Sequence, residues 1–118
     1  MTYRRHVSRN DMPKKNLPKT LKIVLDHYLQ SLKADRLPIK QAFLFGSYAN
    51  GHAHQHSDVD LCIVSPKFSD PISAIQYLLS KRQLDLHYPI EPVGFNPQDF
   101  HSDSAFIQKI KKHGIRLI

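Results

Sequence analysis

The chain has 118 residues, of which 41% are hydrophobic and 23% charged, with a formal net charge of +7 and a single cysteine, Cys62. That is one domain's length, enough to bury about two-thirds of its unfolded surface but with no room for a second catalytic domain. No apolar run approaches the roughly 20 residues needed to cross a membrane, no disulfide can form within the chain, and the basic N-terminus lacks the apolar core of a signal peptide, so a soluble cytoplasmic protein is expected.

Residues 1–16 show no apolar periodicity and predict a flexible basic arm, ahead of a single domain over 17–118. A helix follows, with Asn16 as its cap and Leu17, Leu21, Val24, Leu25, Tyr28, Leu29 and Leu32 on one apolar face, ending near Leu37-Pro38. Ala42-Phe43-Leu44-Phe45 reads as a short buried strand stopped by Gly46, and Tyr48 to Ser57 as a polar loop. Asp58 to Val64 begins a second strand, with Cys62 as a small buried apolar residue within it. Asp70 before Pro71 predicts the start of a helix that buries Ile72, Ile75, Leu78 and Leu79 and runs to about Lys81. Pro89 and Pro92 confine the third strand, near Tyr88 to Phe95, to a sheet edge. Asn96-Pro97 opens a turn or short helix. A last helix over 104–113 buries Ala105, Phe106, Ile107 and Ile110 and is capped by Gly114, with Ile115 to Ile118 as a terminal strand.

The positive charge sits at the two ends. Arg4, Arg5, Arg9, Lys14 and Lys15 face only Asp11 near the start, and Lys109, Lys111, Lys112 and Arg116 face only Asp103 near the finish. Acidic and basic residues balance in between. Such ends attract acidic or phosphate-rich partners, nucleic acid among them. A solvated tail and a helix end whose lysines complement the dipole account for the same charges, and for the helix this second account is favoured.

The chemistry concentrates at Gly46-Ser47 and Asp58-Val59-Asp60. Residues two apart on a strand share a face, so Asp58 and Asp60 aim together while Val59 and Leu61 face a core. Two carboxylates on one face repel unless something positive stands between them. A hard cation such as Mg²⁺, its shell completed by substrate phosphates, resolves that conflict. The amides of Gly46 and Ser47 and the Ser47 hydroxyl lie just upstream as a phosphate cradle. The combination points to metal-assisted chemistry on a nucleoside triphosphate.

At these residues the chain resembles the DNA polymerase β-type nucleotidyltransferases, and most closely the minimal stand-alone branch, the MNT proteins. Their signature is a Gly-Ser pair, a ten-residue spacer and Asp-x-Asp, matched here by Gly46, Ser47, Asp58 and Asp60, with Ala49 and Gly51 fitting the small residues of the loop. The resemblance is firm from Gln41 to Val64 and looser beyond. It implies an α+β fold, a small mixed sheet resembling the polymerase β palm, with helices packed on one face and the Asp pair on the other. It also implies a third carboxylate on a neighbouring strand. Asp85 and Glu91 compete for that place. Glu91, followed by Pro92, an apolar pair and the turn-plus-helix start at Asn96-Pro97, resembles the family pattern more closely. In such an enzyme Asp58, Asp60 and Glu91 hold Mg²⁺ and carry catalysis, and Gly46 and Ser47 hold the triphosphate.

The loop departs from its relatives in one respect. They often carry Arg at the positions of Tyr48 and Asn50, whereas here no Lys or Arg occurs between Gln41 and Pro66. His52, His54 and His56 alternate in the same loop, a spacing compatible with a transition metal. A His-rich exposed loop is the favoured reading. The resemblance further implies an antitoxin that transfers AMP from ATP to a tyrosine of a separate HEPN-domain toxin. The alternatives are a nucleotidyltransferase acting on a small molecule or an RNA end, and a silent module that masks its partner.

Overall fold

A computed structural model describes residues 17–54, 57–83 and 87–118. The expected arm, the Asn16 cap, His56 and Asp85 lie outside these described residues. In chain order the elements are α1 (Lys19–Ala34), β1 (Gln41–Phe45), α2 (Ser47–Asn50), β2 (Val59–Val64), α3 (Pro71–Lys81), β3 (Ile90–Phe95), α4 (Pro97–Phe100), α5 (Ala105–His113) and β4 (Ile115–Arg116).

The four strands form one mixed sheet in the order β3-β2-β1-β4. β1 runs antiparallel to both β2 and β4, while β2 and β3 are parallel. A parallel pair needs a crossover, and α3 supplies it. The expected edge position of β3 holds, and so does the mixed α+β class.

Period-two alternation sorts the sheet's side chains. Ala42, Leu44, Val59, Leu61, Ile63, Ile90 and Ile115 point to one face and pack beneath α1 and α3 in the main core. That face is fully apolar, so each residue there contributes burial without a polar cost. Asp60, Cys62, Val64, Phe43, Phe45 and Glu91 belong to the other face by register. Helices cover part of this second face too, which the expectation of helices on one face did not include. Phe100 of α4 and Ile107 and Ile110 of α5 bury Phe43, Cys62 and Val64. The cover leaves Asp60's end of the face half-buried and Glu91 exposed. Burial pushes the Cys62 thiol up to about 12, so it stays protonated and behaves as an apolar residue.

Several helix boundaries and faces depart from expectation for local reasons. α1 starts at Lys19 behind Pro18 and stops at Ala34, because Arg36 adopts a left-handed conformation (φ 66°) and the Leu37 amide donates back to the Leu32 carbonyl (3.1 Å). In α3, Asp70 caps as expected, accepting from the Ser73 amide at 2.8 Å. Its fully buried residues are Ala74 and Leu78, whereas Ile72 and Leu79 are exposed. In α5, Ile107 and Ile110 are buried and Ala105 and Phe106 are not. Gly114 ends α5 with an extended rather than left-handed backbone, and it is needed for space, since a Cβ there would collide with the Ile110 carbonyl. Among the described residues, no helix is long and apolar enough to cross a membrane.

Candidate active site

The strand β1 delivers the chain to Gly46, whose φ of 76° and ψ of −149° lie in a region that only glycine occupies readily. A Cβ built on Gly46 would fall on Asp60 Oδ2, so the glycine backbone lies directly against that carboxylate. Past Gly46 the chain turns at once into the single-turn helix α2, where the Ala49 and Asn50 amides both donate to the Gly46 carbonyl at 3.1 Å. This helix was expected as irregular loop. Its four residues are too few for apolar periodicity to show. Gly51, left-handed, closes it, and the His52 amide donates to the Ser47 carbonyl at 2.9 Å.

Asp60 occupies the middle of this arrangement. It is opposite Phe45 on β1 and opposite Glu91 on β3. Asp58, exposed, stands just before β2. Burial raises the Asp60 pKa, and the negative charges of Asp58 and then Glu91 raise it further. Three expected carboxylates therefore do meet in one electrostatic neighbourhood. Glu91 also has a cationic neighbour, since Arg82 Nη1 lies 3.7 Å from its Oε1 while donating to the Ile90 carbonyl at 2.7 Å. Arg82 was not foreseen, because nothing in its local sequence links the end of α3 to β3.

The donor set is all oxygen and like-charged, the chemistry that suits a hard divalent cation. Among the described residues, no three His, Cys, Asp or Glu side chains close a cation's shell by themselves. A divalent cation at these carboxylates would therefore have to take the rest of its shell from water or a bound ligand. His52 and His54 are exposed, and the His54 amide donates to Ser57 Oγ at 2.6 Å, shaping the loop before Asp58. Tyr48 packs against the main core, with its ring 6.3 Å from that of Tyr88.

Beside Gly46 a cavity of about 240 Å³ opens between two walls. Phe45, Gly46 and Asn50 form one, and Phe106, Lys109, Ile110 and His113 of α5 form the other. Positions 106, 109, 110 and 113 follow the i, i+3, i+4, i+7 rule, so the sequence could have grouped them on one helical stripe. It could not have shown that the stripe faces Gly46.

A family model for the nucleotidyltransferase domain matches residues 25–117, nearly all of this architecture. The chain belongs to the nucleotidyltransferase domain family. The expected fold and enzyme class hold together, and the chain is a nucleotidyltransferase of the MNT type. Among solved structures, it is similar to one described as a toxin-antitoxin with AMP-PNP, at 26% identity and a TM-score of 0.51, over 78% of this chain and 71% of that one. It is also similar to a proposed nucleotidyltransferase from Sulfolobus solfataricus, at 14% identity and a TM-score of 0.49, over 80% of this chain and 79% of that one. No curated protein sequence matches it. Domains of this nucleotidyltransferase family generally use divalent metal ions, in keeping with the oxygen donors at Asp58 and Asp60.

Proposed function

We propose that this nucleotidyltransferase is an antitoxin that transfers AMP from ATP to a tyrosine hydroxyl of a separate HEPN-type toxin, with Mg²⁺ as its cofactor. The observation that carries the reading is the meeting of Asp58, Asp60 and Glu91 beside the tight turn at Gly46. The likeness to a toxin-antitoxin structure with AMP-PNP supports the nucleotide and the partner.

In this reading Asp58 and Asp60 hold the metal, with Glu91 as the third carboxylate. When bound, Mg²⁺ supplies positive charge to the triphosphate and to the oxygens of the α-phosphoryl group. Gly46 and Ser47 bind the β and γ phosphates through their amides and the Ser47 hydroxyl. Gly46 also makes room for the Asp60 carboxylate, which lies where a Cβ would fall, so that carboxylate sits directly against the turn. The tyrosine oxygen attacks the α phosphorus, a new P–O bond forms, the bond to the bridging oxygen of the β phosphate breaks, and pyrophosphate leaves. The hydroxyl proton passes to the carboxylate cluster, of which Asp58 and Glu91 are the exposed members. Catalysis of this kind is positioning and charge stabilisation, so losing Asp60 should nearly abolish it.

A partner-masking module without catalysis is the competing reading, favoured by the lack of any Lys or Arg between Gln41 and Pro66. The experiment mixes this protein, a co-encoded helical partner and labelled ATP, and compares the natural chain with Asp60→Ala. The expected result is a gain of one or more AMP units on a partner tyrosine, absent with Asp60→Ala. Neutralisation of an unlabelled partner by the Asp60→Ala protein would establish masking instead.

A further inference from the structure

We propose that Lys109 of α5 is the cationic contact for the outer phosphates of the nucleoside triphosphate, reaching them across the cavity beside Gly46, with Asn50 and His113 as further hydrogen-bond donors. The inference rests on the nucleotidyl-transfer reading and adds to it a binding residue outside the motif.

Beyond the charge that Mg²⁺ supplies when bound, the charges around the site favour such a residue. Asp58, Asp60 and Glu91 are negative, a triphosphate brings more negative charge, and residues 41–66 contain no Lys or Arg. Of the cations near the site, Arg82 is engaged with the Ile90 carbonyl and Glu91. Lys111 lies over the Phe100 ring, 4.9 Å from its centre. Lys109 instead lines the same cavity as Gly46, and among the described residues its ammonium has no ion-pair partner.

The helix dipole does not explain Lys109. The basic residues of the last turn of α5 are Lys111, Lys112 and His113, and Lys109 precedes that turn. It stands four residues before His113, so the two share one face of the helix. The size of the cavity selects the part of the ligand. Pockets for whole drug-sized molecules run to about 300–1,000 Å³, so about 240 Å³ takes only a portion of a nucleotide. Gly46 in one wall and Lys109 in the other make that portion the phosphates. Phe45 and Phe106, packed edge to face with centroids 5.5 Å apart, close the apolar side.

The test uses the full chain in Mg²⁺ buffer with a fluorescent ATP analogue, displaced by ATP, by inorganic tripolyphosphate or by adenosine. Lys109→Met keeps the aliphatic stem and removes the charge, and Lys109→Arg restores a cation. Lys109→Met should weaken ATP and tripolyphosphate by about tenfold or more, the effect of one charge-assisted contact. Adenosine should be unchanged, and Lys109→Arg should recover most of the loss. Tripolyphosphate competing equally well against Lys109→Met and the natural chain would overturn the assignment while leaving nucleotidyl transfer intact. A loss confined to adenosine would overturn it by making the cavity a base pocket. Failure of the natural chain to bind any of these ligands would remove both this inference and the reading beneath it.

Discussion

Gly46→Ala isolates what the turn between β1 and α2 requires. The backbone there, at φ 76° and ψ −149°, lies in a region essentially reserved for glycine, and holding another residue in it costs about 1–3 kcal/mol. A second cost comes from the Asp60 carboxylate, which occupies the space the new Cβ would take. Each kcal/mol lowers the melting temperature of a domain of this size by roughly 4–8 °C, so a fall on the order of 5–20 °C is expected from the backbone alone. The assay is a thermal melt by circular dichroism on four proteins: the natural chain, Gly46→Ala, Asp60→Gly and the double variant. If the Cβ collides with the carboxylate, Gly46→Ala should cost less in the Asp60→Gly background, leaving only the backbone strain. Nucleotidyl transfer by Gly46→Ala should fall much further than its stability, because the displaced group is the central carboxylate. An unchanged melting temperature would refute the strain, and strict additivity of the two substitutions would refute the contact.

Asp60→Asn should raise the melting temperature at neutral pH while abolishing transfer. Because the Asp60 pKa is raised by burial and by Asp58 and Glu91, its contribution to stability is fully present below its unfolded value, about 3.9, and is lost as pH rises through the higher folded value; melts across that window should therefore converge towards acid pH and separate above it. Mg²⁺ should be required for ATP affinity, since the carboxylates and the triphosphate otherwise repel, and equal affinities with the ion and with chelator in titration calorimetry would contradict a metal bridge. Leu61→Ala, at a fully buried position in the centre of β2, should cost about 2–5 kcal/mol in denaturant unfolding, with the loss absent if the main core does not close over that strand.

The parts of the fold that were legible in the sequence are those in which one local signal decides the outcome. Asp70 before Pro71 and Asn96 before Pro97 set helix starts, and both asparagine and aspartate accept the expected backbone amide. The alternation from Asp58 to Ile63 set β2, which begins one residue later at Val59, and the prolines set β3 at an edge. Helix faces are less legible, because an apolar side chain on a helix is buried only where a neighbouring element covers it. Ile72 and Phe106 are apolar yet exposed, since the sheet offers each helix only a narrow contact and small Ala74 lets α3 sit close over Gly94. At the site, Gly46 and the two aspartates followed from spacing, and the structure brings Glu91 into register with Asp60. Arg82 reaches Glu91 from the end of α3, and Lys109 and His113 reach the cavity beside Gly46 from α5. Those placements depend on tertiary packing, on which local pattern is silent.

The outer border of β3 limits how this protein can meet others. A residue in a strand directs its own amide and carbonyl to the same side, and the Phe95 carbonyl accepts from Ser65, on the β2 side. By alternation Ile90, Pro92 and Gly94 turn their backbones outward. The Ile90 carbonyl is already occupied by the Arg82 guanidinium, and Pro92 has no N–H to offer. Such a margin is a poor template for a further strand. At the opposite margin β4 spans only two residues, too short for a durable ladder. Among the described residues, the β3 margin is thus a poor place to extend the sheet, and a protein that meets it there finds side chains and few free backbone groups.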